Sequence, residues 1–220
     1  MGLVQSGLAE VIVIRHLLEA ESLFNSQRRG RVFALFRHPV ERSISMFNYI
    51  KTATWEPTFN PEIAKMSLEE YVNSRYMEQD WLTRYLSNTM EGPLLEENFE
   101  VAKDLVRRKI MVGLVENIGE SMERFEKFFR WKYVFRPKVQ EECRNDYLEK
   151  GVNSNNNTKE QPQPGSPVYE LIVHMNKFDI RLYTYIKELF HSQGHLTSNI
   201  PDGYRLVNAS CCECDNSCLI

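Results

Sequence analysis

Val32-Phe-Ala-Leu-Phe36 runs straight into Arg37-His-Pro-Val-Glu-Arg42-Ser-Ile-Ser45. The five apolar residues show no polar alternation, the pattern of a strand covered on both faces, as in a parallel sheet. Pro39 follows at the place where the first turn of a helix tolerates proline. Val40, Ile44, Phe47 and Ile50 then recur at helical spacing and form one apolar face. A buried strand that feeds a helix is half of a βαβ unit. The junction carries Arg37, and ligands of open α/β sheets bind at the carboxyl ends of strands.

Upstream, Glu10–Ile14 (EVIVI) is a short β-branched run and predicts another strand. Leu17, Leu18, Glu21 and Phe24 predict a helix, and the polar run Asn25–Gly30 a turn. Residues 10–51 therefore read strand, helix, strand, helix. Downstream, Ser67 and Glu70 have the spacing of a capping box. Trp81, Tyr85 and Leu86 mark one helix, and Val101, Leu105 and Val106 the next. Lys109–Leu114 (KIMVGL) predicts a strand, followed by an amphipathic helix through Ile118, Met122, Phe125 and Phe129 that ends near Trp131. Residues 151–167 are rich in Asn, Pro and Gly and predict a long mobile loop. Leu171, Met175, Phe178, Leu182, Tyr185, Ile186 and Leu189 build one more helical region. The expected class is α/β, a three-layer domain with a short parallel sheet and helices on both sides. The alternative is an α-rich bundle with one hairpin. The domain is expected over 1–195, with 196–220 a weakly ordered Cys-rich tail.

The chain has 220 residues, the size of one domain, with 42% hydrophobic and 26% charged residues. Its net charge of −3 exerts no global pull on nucleic acid or anionic membranes, so any anion site is local. No apolar run approaches the roughly 18 residues of a membrane span. Glu10 and Arg15 interrupt the apolar start, which is not the pattern of a signal peptide. Met1-Gly2 with Ser6 matches an N-myristoylation pattern short enough to arise by chance. Cys211, Cys212, Cys214 and Cys218 cluster at the end, far from Cys143. That is neither a distributed disulfide framework nor the paired spacing of a zinc site, and no metal is expected.

Two guanidinium groups, a hydroxyl and a helix N-terminus converge at Arg37, Arg42 and Ser45. Arg42 and Ser45 are three apart, hence on one helical face. A phosphate dianion needs such a fork of donors with positive charge. The competing arrangement pairs Arg37 with Glu41 and leaves Ser45 on a solvated face.

RHPVERSIS resembles the 3′-phosphate-binding motif of the sulfotransferases that use 3′-phosphoadenosine-5′-phosphosulfate (PAPS), R-x-P-x-x-R-x-x-S at a strand-to-helix junction. The resemblance implies that Arg37 and Ser45 hold the 3′-phosphate, with Arg42 in support. Val112–Trp131 is similar to the family's late strand-and-helix block, and Asn176–Phe190, with Asn176, Asp179, Leu182 and Tyr183, to its C-terminal helix. Gly30-Arg31 onward and Ala53–Pro57 (ATWEP) resemble carbohydrate sulfotransferases, especially marine-microalgal members. The implied fold is related to the P-loop kinases. The implied reaction moves a sulfuryl group from PAPS to a hydroxyl of a carbohydrate or glycan acceptor. The implied residence of a full-length relative is the Golgi lumen, on a membrane anchor. Asn156-Asn157-Thr158 and Asn208-Ala209-Ser210 are N-glycosylation acceptors in that compartment.

The family holds the 5′-phosphosulfate with a loop carrying Lys and Thr or Ser, and no Lys precedes Lys51 here. The expectation is an N-terminally truncated domain, inactive as written, because losing one such oxyanion donor costs about 10²–10³ in rate. A non-catalytic nucleotide-binding or scaffold remnant is the alternative. Thr158 and Lys159 are candidates for a phosphate contact from a covering loop, or belong to a solvated one. His38 is expected to cap its helix rather than serve as a base. Trp55, near Tyr49, is placed either against a sugar or adenine ring or in the core, with packing expected.

Overall fold

Val32–Phe36 forms strand β1, and Pro39–Thr52 forms helix α1 with Pro39 in its first turn. In the computed structural model the described residues are 11–14, 17, 19–24, 30–56, 59–130, 142, 145 and 162–198. The chain continues through α2 (Pro61–Lys65), α3 (Leu68–Val72), α4 (Trp81–Ser87) and α5 (Glu96–Lys109) to strand β2 (Ile110–Leu114). Helix α6 spans Ile118–Phe129, α7 Pro167–Met175, α8 Lys177–Gln193 and α9 His195–Ser198. Short 3-10 turns lie at Glu19–Leu23 and Val115–Asn117.

β1 pairs with β2 in parallel, Val32 opposite Ile110 and Phe36 opposite Leu114. A strand pairing of Glu10–Ile14 with β1, expected of a βαβ unit, is not made by the described residues 11–14. Residues 11–14 of that stretch form no strand, and Val13 is 81% exposed. A β-branched run has strand preference only where a neighbour receives its hydrogen bonds and packs its side chains. The helix expected around Leu17–Phe24 shortens to a 3-10 turn.

Among the described residues the sheet has two strands, and most of the molecule is helical. The second edge of β2 is closed by side chains rather than by a strand. The Val112 N–H donates to Gln193 Oε1 and Gln193 Nε2 donates to the Ile110 carbonyl, both at 2.9 Å. The Leu114 N–H donates to Ser121 Oγ at 2.8 Å. A buried backbone donor or acceptor must be paired, and here α8 and α6 supply the partners.

The described residues form two apolar clusters, one built on the sheet and one among the helices. Phe36, Val112 and Leu114 pack with Ala102 and Val106 of α5 and with Leu182, Ile186 and Phe190 of α8. Val40, Ile44 and Phe47, the stripe read from the sequence, pack with Tyr71 and Val72 of α3 and Ile172 of α7. Three buried polar side chains join the clusters. Asp80, in the left-handed region at φ 49°, accepts from the N–H groups of Phe178 (2.8 Å) and Asp179 (3.0 Å). Asp179 answers by accepting from the N–H groups of Leu82 (2.9 Å) and Thr83 (2.7 Å) and from the Thr83 hydroxyl (2.7 Å). Each carboxylate caps the other's helix. Asn176 accepts from the Asp80 N–H at 3.1 Å and donates to the Ile172 carbonyl at 2.8 Å. That is why the single helical region expected after residue 167 divides into α7 and α8.

The remaining boundaries shift modestly. Pro167 already opens α7, capped by Ser166, so the loop ends before it. Residues 151–161, with Thr158, Lys159 and Asn156, lie outside the described residues. So do Trp131, Arg15, Met1-Gly2, Ser6, Asn208 and the cysteines. Leu196–Ser198, placed in the tail from sequence, belong to α9. No helix among the described residues is long and apolar enough to cross a membrane.

Candidate functional site

The register Phe36 opposite Leu114 brings two chain segments out at the same edge of the sheet. β1 delivers Arg37 and His38, and β2 delivers Val115–Asn117. The first turn of α1 begins there, and its Arg42 N–H donates to the His38 carbonyl at 2.9 Å.

Arg37 has a side chain 39% exposed, with Nε 3.3 Å from Glu41 Oε2. Glu41 is thus the present partner of Arg37 and the competitor of a phosphate. An exposed pair one helical turn apart is weak, about 0.3–0.5 kcal/mol, so an anion competes with Glu41 at little cost. Ser45 lies half-buried on α1.

Arg42 is held elsewhere. Its Nη2 sits 2.7 Å from Glu78 Oε2, and its guanidinium lies over the Trp81 ring at 4.3 Å. The side chain joins α1 to the start of α4, so it steadies the helix that carries Ser45. Spacing alone located the face of α1 but not Glu78 and Trp81, which reach it from other elements.

His38 stands at the N-cap of α1, with no hydrogen bond from its side chain to the helix. The capping role expected of it is not what it performs. Its ring instead meets Tyr183 of α8 edge-on, centroids 5.4 Å apart. The Tyr183 hydroxyl donates to Glu116 Oε2 at 2.6 Å, and Lys187 Nζ lies 3.8 Å from Glu116 Oε1. Burial lowers the imidazole's proton affinity, the Glu41 and Glu116 carboxylates oppose that, and Lys187 reinforces it. The net direction is down, so His38 is neutral at neutral pH. Burial and the Glu116 carboxylate push the Tyr183 phenol up, so it remains a donor.

Glu116 and Lys187 were not singled out from the sequence. The available signals were the place of Glu116 just past the KIMVGL strand and the one-turn spacing of Tyr183 and Lys187. Trp55 departs from its expected packing and is 71% exposed. Among the described residues, no group of His, Cys, Asp and Glu is arranged to hold a metal ion.

Arg37, the α1 N-terminus, His38, Tyr183, Glu116 and Lys187 thus form a polar cluster where both parallel strands end. It offers a displaceable cation and free helix N–H groups to an anion. No protein-family model, no curated protein and no solved structure matches the chain.

Proposed function

We propose that the chain is the nucleotide-binding part of a sulfotransferase that moves a sulfuryl group from PAPS to a carbohydrate hydroxyl. The observation that carries this reading is the β1–α1 junction: Arg37 and a proline-opened helix of 14 residues start at the carboxyl edge of a parallel strand pair. That edge is where open α/β sheets bind ligands, and a helix N-terminus there favours phosphate. The R-x-P-x-x-R-x-x-S pattern falls on the same junction. Arg37 and Ser45 hold the 3′-phosphate, while Arg42 supports them through Glu78 and Trp81. A three-layer sheet and a lumenal Golgi address belong to the same proposal.

In the reaction, the acceptor oxygen attacks sulfur in line and the bond from sulfur to the bridging oxygen breaks. The hydroxyl proton leaves to a base, and adenosine 3′,5′-bisphosphate departs with the electron pair. The part assigned to these residues is positioning, the chief protein contribution in comparable phosphoryl transfers.

The second reading is a domain that binds the nucleotide without transferring the sulfuryl group. It is favoured by one observation, that Lys187 at the strand ends is turned to Glu116, its Nζ 3.8 Å from Oε1. Isothermal titration with adenosine 3′,5′-bisphosphate tests the site common to both. Loss of one charge-assisted contact costs about 1.5–3 kcal/mol, so Arg37→Ala should weaken binding about 10- to 100-fold. Equal binding by wild type and Arg37→Ala would overturn the site. Bisphosphate binding without PAPS-dependent turnover would select the second reading.

A further inference from the structure

An indole used for packing is buried, but Trp55 is 71% exposed. It sits in a closed turn just past α1. There the Ala53 N–H donates to the Tyr49 carbonyl (2.9 Å), the Glu56 N–H to the Ala53 carbonyl (3.0 Å) and the Phe59 N–H to the Glu56 carbonyl (3.0 Å). Ala53, only 1% exposed, pins this turn to the body of the protein. The Tyr49 ring stands edge-on to the indole at 80°, centroids 6.3 Å apart. Its hydroxyl donates to the Glu56 carboxylate. Both rings are therefore placed before any ligand arrives, which lowers the entropic cost of binding.

The chemistry around the rings narrows the ligand. A nucleic acid base would stack on the indole, but its phosphates would approach Glu56. The nearby Lys51 is engaged with the Met66 carbonyl at 3.0 Å and with the Phe47 ring. A neutral sugar ring fits both features, since its C–H face meets the electron-rich indole and its hydroxyls donate to the carboxylate. The exposed Thr52 and Thr54 widen the polar rim.

We propose that Trp55 and Tyr49, rimmed by Glu56, form a platform for a neutral sugar ring, separate from the strand-end cluster. Pro39 and Tyr49 lie at opposite ends of α1, roughly 15 Å apart at a rise of about 1.5 Å per residue. One sugar cannot touch both places. The ligand that uses both is an extended glycan, gripped on Trp55 while another of its units reaches the strand ends. That this glycan is also the acceptor rests on the sulfuryl-transfer reading.

The test titrates the full chain with malto-, cello- and laminari-hexaose and with one sulfated hexasaccharide, following the indole N–H signal of Trp55 by NMR. At least one neutral hexasaccharide should shift that signal, with a dissociation constant on the order of 1 mM. Trp55→Ala should weaken binding at least about tenfold, with an unchanged urea midpoint, and leave adenosine 3′,5′-bisphosphate binding unaltered. Glu56→Gln, which keeps the indole, should weaken the sugar alone. The platform is overturned if the wild type binds no neutral hexasaccharide at about 10 mM, or if Trp55→Ala binds equally. It is also overturned if the sulfated sugar binds better, or if Trp55 mediates self-association in sedimentation. Sugar binding without bisphosphate binding would uphold the platform and sink the sulfuryl-transfer reading. Bisphosphate binding alone would do the reverse.

Discussion

Asp179 shows how much one side chain decides. It is 1% exposed and accepts three hydrogen bonds from the start of α4. Alanine there would leave the Leu82 and Thr83 N–H groups without an acceptor inside the protein. Each such group costs about 1–3 kcal/mol, so Asp179→Ala should lower unfolding free energy by at least about 2 kcal/mol. Asp179→Asn keeps one carbonyl oxygen for Thr83 but turns an amide toward the Leu82 N–H, so its loss should be smaller. The same pair of variants carries a pH signature. Burial pushes the Asp179 and Asp80 carboxyls up, against the hydrogen bonds that pull them down. A raised carboxyl holds protons more tightly in the folded state than in the unfolded one. The stability it lends is complete below its ordinary value of 3.8 and is lost as pH climbs through the folded value. Urea midpoints measured upward from that pH should therefore fall less steeply in Asp179→Asn than in wild type. A parallel pair of curves would mean that Asp179 does not titrate in that window.

At the scale of elements, local chemistry was the better guide. The box at Ser67 and Glu70 was legible from spacing, and the structure closes it. The Ser67 N–H donates to Glu70 Oε2 at 2.7 Å, and the Glu70 N–H to Ser67 Oγ at 3.2 Å. Hydrogen bonds from the Ser67 backbone N–H and then its side chain hold the Glu70 carboxyl below its ordinary value. Helix α3 has only five residues, so it depends on its cap and on burying Tyr71 and Val72. Ser67→Ala should cost about 1 kcal/mol, read as a lower urea midpoint at unchanged slope. A shift within error would show that packing alone holds α3. The start of α1 was equally legible, since Pro39 announces a first turn whatever surrounds it. Glu10–Ile14 misled for the opposite reason: strand formation needs a partner, and nothing within five residues can say whether one arrives.

The cluster built on the sheet is organised around β2, which is buried along its length. β1 covers one edge and the Gln193 amide the other, from α8, far along the chain. Gln193→Ala should expose two orphaned backbone groups of β2 and cost about 2–4 kcal/mol. Amide exchange should accelerate at Val112 before it does in α3, which belongs to the other cluster. Uniform acceleration would argue that Gln193 acts only through global stability. Elements with local signals were legible in the sequence: the continuous apolar runs of β1 and β2, the stripe and proline start of α1, the capping box of α3, and the junction that carries Arg37. Which strands pair and where the sheet stops came from contacts between distant segments. Tertiary structure also turned Arg42 toward Glu78 and Trp81, brought Tyr183 and Glu116 to His38, and left Trp55 facing solvent. The physical reason is range. Periodicity and capping act within one or two turns of chain, whereas burial, ion pairing and edge closure depend on residues that only folding brings together.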